Sequence, residues 1–529
     1  MRSDTILDVA IVGAGISGIN SAYRLHESNP TLTYELFEGR DEIGGTWSFF
    51  KYPGLRSDSD LYSFGFEWNL WQSDKVIADA ASILTYLDGS MRSFGAEKHL
   101  RTRHKLISLD WSTKNQYWTL VFDIGETEKR VQARWVVLGT GYYDYDKPLE
   151  VQIPDLDRFK GQIVHPQFWP QDLDISGKKV VIVGSGATAI TILPNIAEHA
   201  EHVTIVQRSP SYIASSSAVD ASAIVLKRWL PLTFAARILR FKYLLLSYLF
   251  FTYCQTFPKS SRRLLANATQ KQLPKHIGLE PHFAPRYDPW DQRLCLCPDG
   301  DFYAALRSGK ASIVTGHIEA MSGHTIEIKD QPESRLEADI LVTATGLRLL
   351  VGGGARMSLD GTPIAVNDKM LWKGCMLQDV PNAITVIGYT NASWTLGADV
   401  AAKTFTRLLE ELRRSGSTSA TPIAPDAVEH VPFMKMESTY LLKGRGSMPR
   451  AGTKHPWLPR GSYFLDLWDA TYGSVTADIV SEVLAASLIL APKVELVAVY
   501  GECVAVDRLL YVGPYCLCSV GGLCMGYSK

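Results

Sequence analysis

The apolar run LDVAIVG that begins at Leu7 passes straight into GAGISG and then NSAYRLHE, and the same grammar returns at Lys179 as KVVIVGSGATAITILPNIAEH. Each stretch reads as a buried strand, a tight glycine turn and the first turns of a helix, the opening unit of a doubly wound sheet. Two such units on one chain constrain the fold more than any other feature. They predict an α/β protein with two Rossmann-like dinucleotide-binding domains.

In the first unit the turn glycines are Gly13, Gly15 and Gly18, and the following strand, YELFEGR, ends at Glu38. The glycines let the backbone approach a pyrophosphate at a helix N-terminus, while Glu38 can accept hydrogen bonds from a ribose diol. In the second unit Gly184, Ser185, Gly186, Ala187, Thr188 and Ala189 form the turn, and the strand VTIVQRSP ends in Arg208 and Ser209. A guanidinium where an acidic residue would serve NAD matches the extra phosphate on an adenosine ribose, so NADPH is expected over NADH. The bland alternative for Arg208 is a surface arginine. A hydride donor beside a flavin is the commonest reason to hold two dinucleotides on one chain. Disulfide reductases share this plan but need a redox-active cysteine pair near the first helix. The stretch GGTWSFFKYPGLRSD has none.

The expected organisation is residues 1–150 as the first part of the FAD domain and 151–338 as the NADP domain. A helical insertion is expected at about 215–285, where the sequence turns apolar and basic. Residues 339–415 return to the FAD domain, with WVVLGTG from Trp135 and DILVTATG from Asp339 as short strands at the crossovers. A helix from Ala398 with apolar i, i+3, i+4 spacing closes that domain, and Gly416 is its C-cap. Residues 416–529 form a C-terminal extension that is atypical after about 465.

At 529 residues the chain exceeds the size at which one core stops growing, and Lys plus Arg (54) nearly balances Asp plus Glu (55), which removes any electrostatic reason to expect nucleic acid. Asp8 interrupts the first apolar stretch, so no secretory leader is expected. The spacings Cys295/Cys297 and Cys516/Cys518 suit neither a disulfide framework nor zinc, and no metal site is expected. Together these point to a cytoplasmic protein. Tyr243–Phe257 is apolar but short of the roughly 20 residues that span a bilayer, and reads as a buried or surface-dipping helix able to touch a membrane. Leu509–Ser528 is long enough to span, yet Pro514 and its glycines make a poor helix, leaving a single-pass tail anchor as the lesser reading.

The stretch FKGQIVHPQFWP, with Phe159, Gly161, His165, Trp169 and Pro170 at its fixed positions, resembles the fingerprint of type I Baeyer-Villiger monooxygenases. A second pattern of that family is met by Gly44, Gly45, Trp47, Tyr52, Pro53, Gly54 and Asp58. From Leu7 to about Leu465 the chain is similar to the branch that contains the ethionamide-activating monooxygenase of mycobacteria and its fungal relatives. The resemblance implies FAD in the first domain, NADPH in the second, cofactor contacts through Gly45, Thr46 and Trp47, and a hinge through Phe159, Gly161, His165 and Trp169. It places a fixed cation at Arg293, oriented by Asp58, beside the flavin. A domain-interface salt bridge is the alternative for that arginine. Many relatives carry a lysine just before it where this chain has Gln292, which leaves Arg208 as the main reader of the phosphate. His165 reads as a structural tie of the loop ahead of an acid or base. Asn391, in GYTNASWT, is expected at a helix N-terminus facing the flavin pyrimidine, although an ordinary N-cap explains it nearly as well.

The expected function is an NADPH-dependent flavin monooxygenase that inserts one atom of O2 into a hydrophobic ketone of secondary metabolism, giving an ester or lactone. A flavin N- or S-oxygenase needs the same cofactors and remains open. A non-catalytic NADP-binding protein is the third reading, and two intact nucleotide motifs speak against it.

Overall fold

The computed structural model describes residues 6–329 and 335–484. The first unit forms as the sequence predicts: β1 (Leu7–Val12), α1 (Ile16–Ser28) and β2 (Tyr34–Phe37). Along β1, Val9 and Ile11 enter one core cluster and Ala10 and Val12 another, so the strand is buried on both faces, as a near-continuous apolar run in a parallel sheet must be. β1 pairs in parallel with β2 on one edge and with β3 (Glu128–Leu138) on the other.

The second unit builds a five-stranded sheet from β4 (Lys179–Val183), β5 (His202–Gln207), β6 (Ala311–Thr315) and β7 (Ile340–Thr343), with Gln162–Val164 at its edge. Every pairing in it is parallel. Helix α2 (Ala187–Ala197) covers one face, with Ile190, Ile192, Leu193 and Ile196 buried in the same cluster as Val180, Ile182, Val203 and Ile205.

One boundary moves. β7 lies in the second sheet, between β4 and Gln162–Val164, whereas the expected division at 338/339 placed it in the returning FAD domain. All its residues are buried, and a fully buried parallel strand requires partners on both edges, which only the second sheet offers. The chain rejoins the first sheet at Arg356–Leu359, which pairs with Ser108–Trp111, and again at β8 (Ala383–Thr385), which pairs with β3.

The insertion is helical: α3 (Ala221–Trp229), α4 (Leu232–Thr256) and α5 (Pro258–Gln270). Although it interrupts the second unit, α4 leans on the first, since Arg240 donates to the carbonyls of Tyr62 (2.9 Å), Ser63 (3.3 Å) and Gly65 (2.7 Å). None of the described helices is long and apolar enough to cross a membrane.

Helix α6 (Trp394–Ser415) starts a turn earlier than its periodicity suggested and ends at Gly416, whose φ of 71° supplies the left-handed C-cap. It packs on α1, where Asp399 accepts from Arg24 Nε at 2.8 Å. Beyond it lie α7 (Thr439–Gly444) and α8 (Tyr463–Tyr472), and Ile479–Glu482 pairs with Ser419–Pro422. The stretch from 465 to 484, which reads as atypical, is therefore part of the fold. The tail-anchor stretch and Cys516/Cys518 lie outside the described residues.

Candidate active site

Both glycine turns open onto one cavity of about 1040 Å³. In the first turn Gly13 has φ +98°, and a Cβ there would stand 2.6 Å from the carbonyl oxygen of Gly139. A Cβ at Gly18 would stand 1.8 Å from the carbonyl oxygen of Gly13. Glycine at both positions is thus what lets α1 start against the strand ends. Gly15, at the N-terminus of α1, provides no side-chain cap, so first-turn N–H groups remain available to an anion. Across the cavity Gly45 approaches so closely that a Cβ on Gly15 would lie 3.5 Å from its Cα. Glu38 is held by the backbone itself: Oε2 accepts from Ala14 N at 2.9 Å and Oε1 from Arg40 N at 3.1 Å.

We expect Gly18→Ala to cost about 1–3 kcal/mol through overpacking, with the turn distorted. The check is the flavin absorbance retained per protein after gel filtration, which should fall well below that of the parent.

In the second turn Gly184 has φ +139°, and a Cβ there would meet the Ala344 carbonyl oxygen at 2.2 Å. Gly186 differs, because a Cβ would meet nothing within 4 Å and its backbone faces open cavity. The Ser185 hydroxyl donates to the Ser209 carbonyl at 2.9 Å and lies 3.0 Å from the Ser211 hydroxyl. Ala187 and Thr188 line the cavity, while Ala189 is fully buried and packs the helix on the sheet. Arg208 and Ser209 stand at the rim, with Arg208 Nη2 donating to Thr439 Oγ1 at 3.3 Å. Two glycine-lined cradles facing one space fit two dinucleotides.

Between the cradles sits Arg293. It forks onto Asp58, Nε to Oδ2 at 2.8 Å and Nη2 to Oδ1 at 2.9 Å, although the two residues are far apart in sequence. The carboxylate raises the guanidinium's proton affinity further, against the opposing effect of burial. The cation is fixed in place and in charge.

Around it stand three phenols that the sequence did not single out. The Tyr142 and Tyr143 hydroxyls are 3.0 Å apart, and the Tyr142 ring stacks on Trp394 at 4.8 Å. Tyr440, on α7, hydrogen-bonds Tyr142. Burial pushes all three phenols up, so they stay protonated at any working pH. Thr439 and Lys443 of α7 also line the cavity, as do Gly352 and Gly353. These residues come from segments remote from either glycine motif and carry no local pattern.

Gly45, Thr46 and Trp47 line the cavity; the Thr46 hydroxyl lies 3.2 Å from that of Tyr145 and the Trp47 ring meets Phe64 edge-on at 5.7 Å. The fingerprint loop does not reach the cavity. Phe159 is buried under the second sheet, and a Cβ on Gly161 would stand 2.5 Å from the Asp339 carbonyl oxygen. His165 Nδ1 accepts from Gln167 N at 3.2 Å, and Gln167 Nε2 donates to the Asp144 carbonyl at 2.7 Å, which ties the loop to the segment leaving the first sheet. Burial lowers the imidazole's proton affinity, and its Nε2 has no hydrogen-bond partner among the described residues. Trp169 packs against the second sheet's core.

Asn391 requires a correction. The N-cap of α6 is Ser393, whose hydroxyl lies 2.7 Å from that of Ser63, while Asn391 donates to the Gly461 carbonyl at 3.0 Å and is not among the residues lining the cavity. The run Asn-Ala-Ser holds two good capping residues, and local sequence does not decide between them.

Residues 76–230 match the flavin-binding monooxygenase-like family, and residues 11–73 match an NAD(P)-binding Rossmann-like domain. The chain is 41% identical over 470 residues to the FAD-containing monooxygenase EthA of Mycolicibacterium smegmatis, covering 88% of this chain and 95% of that one. It is 40% identical over 464 residues to the probable FAD-binding monooxygenase AlmA of Acinetobacter baylyi, covering 87% and 93%. Among solved structures it shares the fold of an oxidized steroid monooxygenase bound to NADP, with TM-score 0.72, 20% identity and coverage of 90% and 100%. A cyclohexanone monooxygenase from Rhodococcus sp. Phi1 bound to NADP+ follows with TM-score 0.61, 21% identity and coverage of 80% and 88%.

Proposed function

Because this chain belongs to the FAD-containing monooxygenases, flavoenzymes of the Baeyer-Villiger type that use NADPH, we propose that it inserts one oxygen atom of O2 into an apolar ketone to give an ester or lactone. The observation that carries this reading is the Arg293–Asp58 fork standing between the two cradles. When bound, FAD supplies the acceptance of hydride and the activation of dioxygen.

The rest falls to this chain's residues. Gly13, Gly15 and Gly18 would let the α1 N-terminus hold the FAD pyrophosphate, and Glu38 would accept from its ribose. Gly184 and Gly186 would do the same for NADPH, with Arg208 and Ser209 to hold its ribose phosphate. Attack on a carbonyl places negative charge on the attacking oxygen before the bond forms and on the former carbonyl oxygen afterwards. Arg293 stabilises both, and Asp58 fixes the plane of its N–H donors so that little reorganisation is needed. The fingerprint residues Phe159, Gly161, His165 and Trp169 act as a strut between the two sheets.

Oxygenation of sulfur or nitrogen has one observation in its favour. The Tyr142, Tyr143 and Tyr440 hydroxyls are protonated donors beside the same cation, and an electrophilic oxygen transfer requires such a proton. Turnover of a cyclic ketone and a thioether with NADPH, followed by product analysis, separates the readings: ester in excess supports the first, sulfoxide alone the second. Tyr440→Phe is expected to slow sulfoxide formation about tenfold, less than the ~100-fold of a lone general acid because Tyr142 remains, and to spare ester formation. Comparing the two initial rates checks it.

A further inference from the structure

From 221 to 279 the chain holds ten Lys and Arg and no Asp or Glu, in a protein whose overall formal charge is −1. That segment is the helical insertion, and its outer surface is apolar as well as basic. On α4 the residues Ala235, Ala236, Leu239, Arg240 and Cys254 are buried, and Arg240 meets the first domain. At 100° per residue, Phe234, Arg237, Phe241, Leu245, Tyr248 and Leu249 fall on the opposite side, and all are exposed. Phe241 is 62% exposed, and Trp229, at the end of α3, 77%. Both flanks of the helix are therefore apolar; on the outer one Tyr248 meets the Phe464 ring edge-on at 5.3 Å, while Phe241, Leu245 and Leu249 remain exposed.

Charge brackets this stripe. Arg228 and Arg237 stand at its start and Lys259 and Arg263 beyond its end; all four are exposed and none forms an ion pair among the described residues. Other cations of the segment are already matched, Lys227 to Asp74, Lys242 to Asp220 and Arg262 to Asp288. At about 1.5 Å per residue α4 is about 37 Å long, enough for a sizeable footprint.

We propose that the outer face of α3 and α4 docks on an anionic lipid bilayer, lying in its interface without crossing it. Phe241, Leu245 and Leu249 would enter the acyl boundary, Trp229 would sit at headgroup level, and Arg228 and Arg237 would extend to lipid phosphates. A second copy of this chain fits the face poorly, because two such surfaces would oppose arginine to arginine with no acid within the segment to compensate. The proposal is independent of the reaction assigned above, since it is read from binding alone.

The test is co-sedimentation of the full-length holoprotein with vesicles of phosphatidylcholine, with and without phosphatidylglycerol. Binding is expected to the anionic vesicles and to weaken with salt. Arg228→Gln with Arg237→Gln should lower it about 25-fold, near fivefold for each charge removed. Phe241→Ser with Leu245→Ser should also release the protein while leaving NADPH consumption unchanged, which shows that it is folded. No binding to anionic vesicles, or equal binding by parent and both variants, overturns the proposal. So does conversion of an oligomer to a monomer by the apolar variant in the absence of lipid, which would make the occupant a second copy. Photocrosslinking from position 241 to residues 485–529 without vesicles would likewise overturn it, by showing that the chain covers its own face.

Discussion

Replacing Arg293 with Ala is expected to leave reduction of the flavin by NADPH close to the parental rate and to lower ester formation about 100- to 1000-fold. The size follows from removing a preorganised donor aimed at developing negative charge, an effect worth about 3–4 kcal/mol at comparable sites. The selectivity follows from position. Both turns that would hold the dinucleotides are formed by backbone, and neither depends on the Arg293 side chain. Rapid-mixing absorbance without oxygen reports the first half of the cycle, and product analysis in air reports the second. A variant that reduced its flavin slowly would mean that the fork onto Asp58 serves mainly to hold the two domains together. Asp58→Asn should cost less, because the guanidinium keeps its charge and loses only its orientation.

Arg208→Asp should raise the Michaelis constant for NADPH on the order of 100-fold while that for NADH changes little. A hydrogen bond to a charged group contributes about 1.5–3 kcal/mol, and a carboxylate beside a phosphate adds repulsion. Arg208 is exposed at the rim and leans on Thr439 rather than on an acid, so its donors remain free to turn towards a ligand. Gln292, which carries no charge, precedes Arg293, and Lys443 lines the same cavity one helical turn beyond Thr439. Lys443→Ala should therefore raise the NADPH constant further in the Arg208 variant, about fivefold for one partly solvated cation. Equal changes for NADPH and NADH would remove Arg208 from the phosphate site.

The cradles were legible because their chemistry is local. Gly13, Gly15 and Gly18, and later Gly184 and Gly186, sit within a few residues of the strands that aim them, so spacing alone carries the geometry. Arg293 and Asp58 could be paired only through the resemblance, since nothing in composition links residues so distant. The three tyrosines were invisible for the same reason: Tyr142 and Tyr143 follow β3, Tyr440 belongs to α7, and only the folded chain brings them to one arginine. β7 was placed in the wrong sheet because an isolated apolar strand does not state its partners; pairing is a non-local choice. On α4 the apolar content predicted a buried or surface-dipping helix, and local sequence did not decide which residues would face outward. Hydrophobicity reports that a residue seeks cover, not what covers it.

The most direct test of the account is aerobic turnover of a cyclic ketone with NADPH under isotopically heavy dioxygen, with mass spectrometry of the product. The account predicts a lactone that carries one heavy oxygen atom for each NADPH consumed. NADPH consumption with hydrogen peroxide as the only oxygenated product, or a lactone without the heavy isotope, would contradict it.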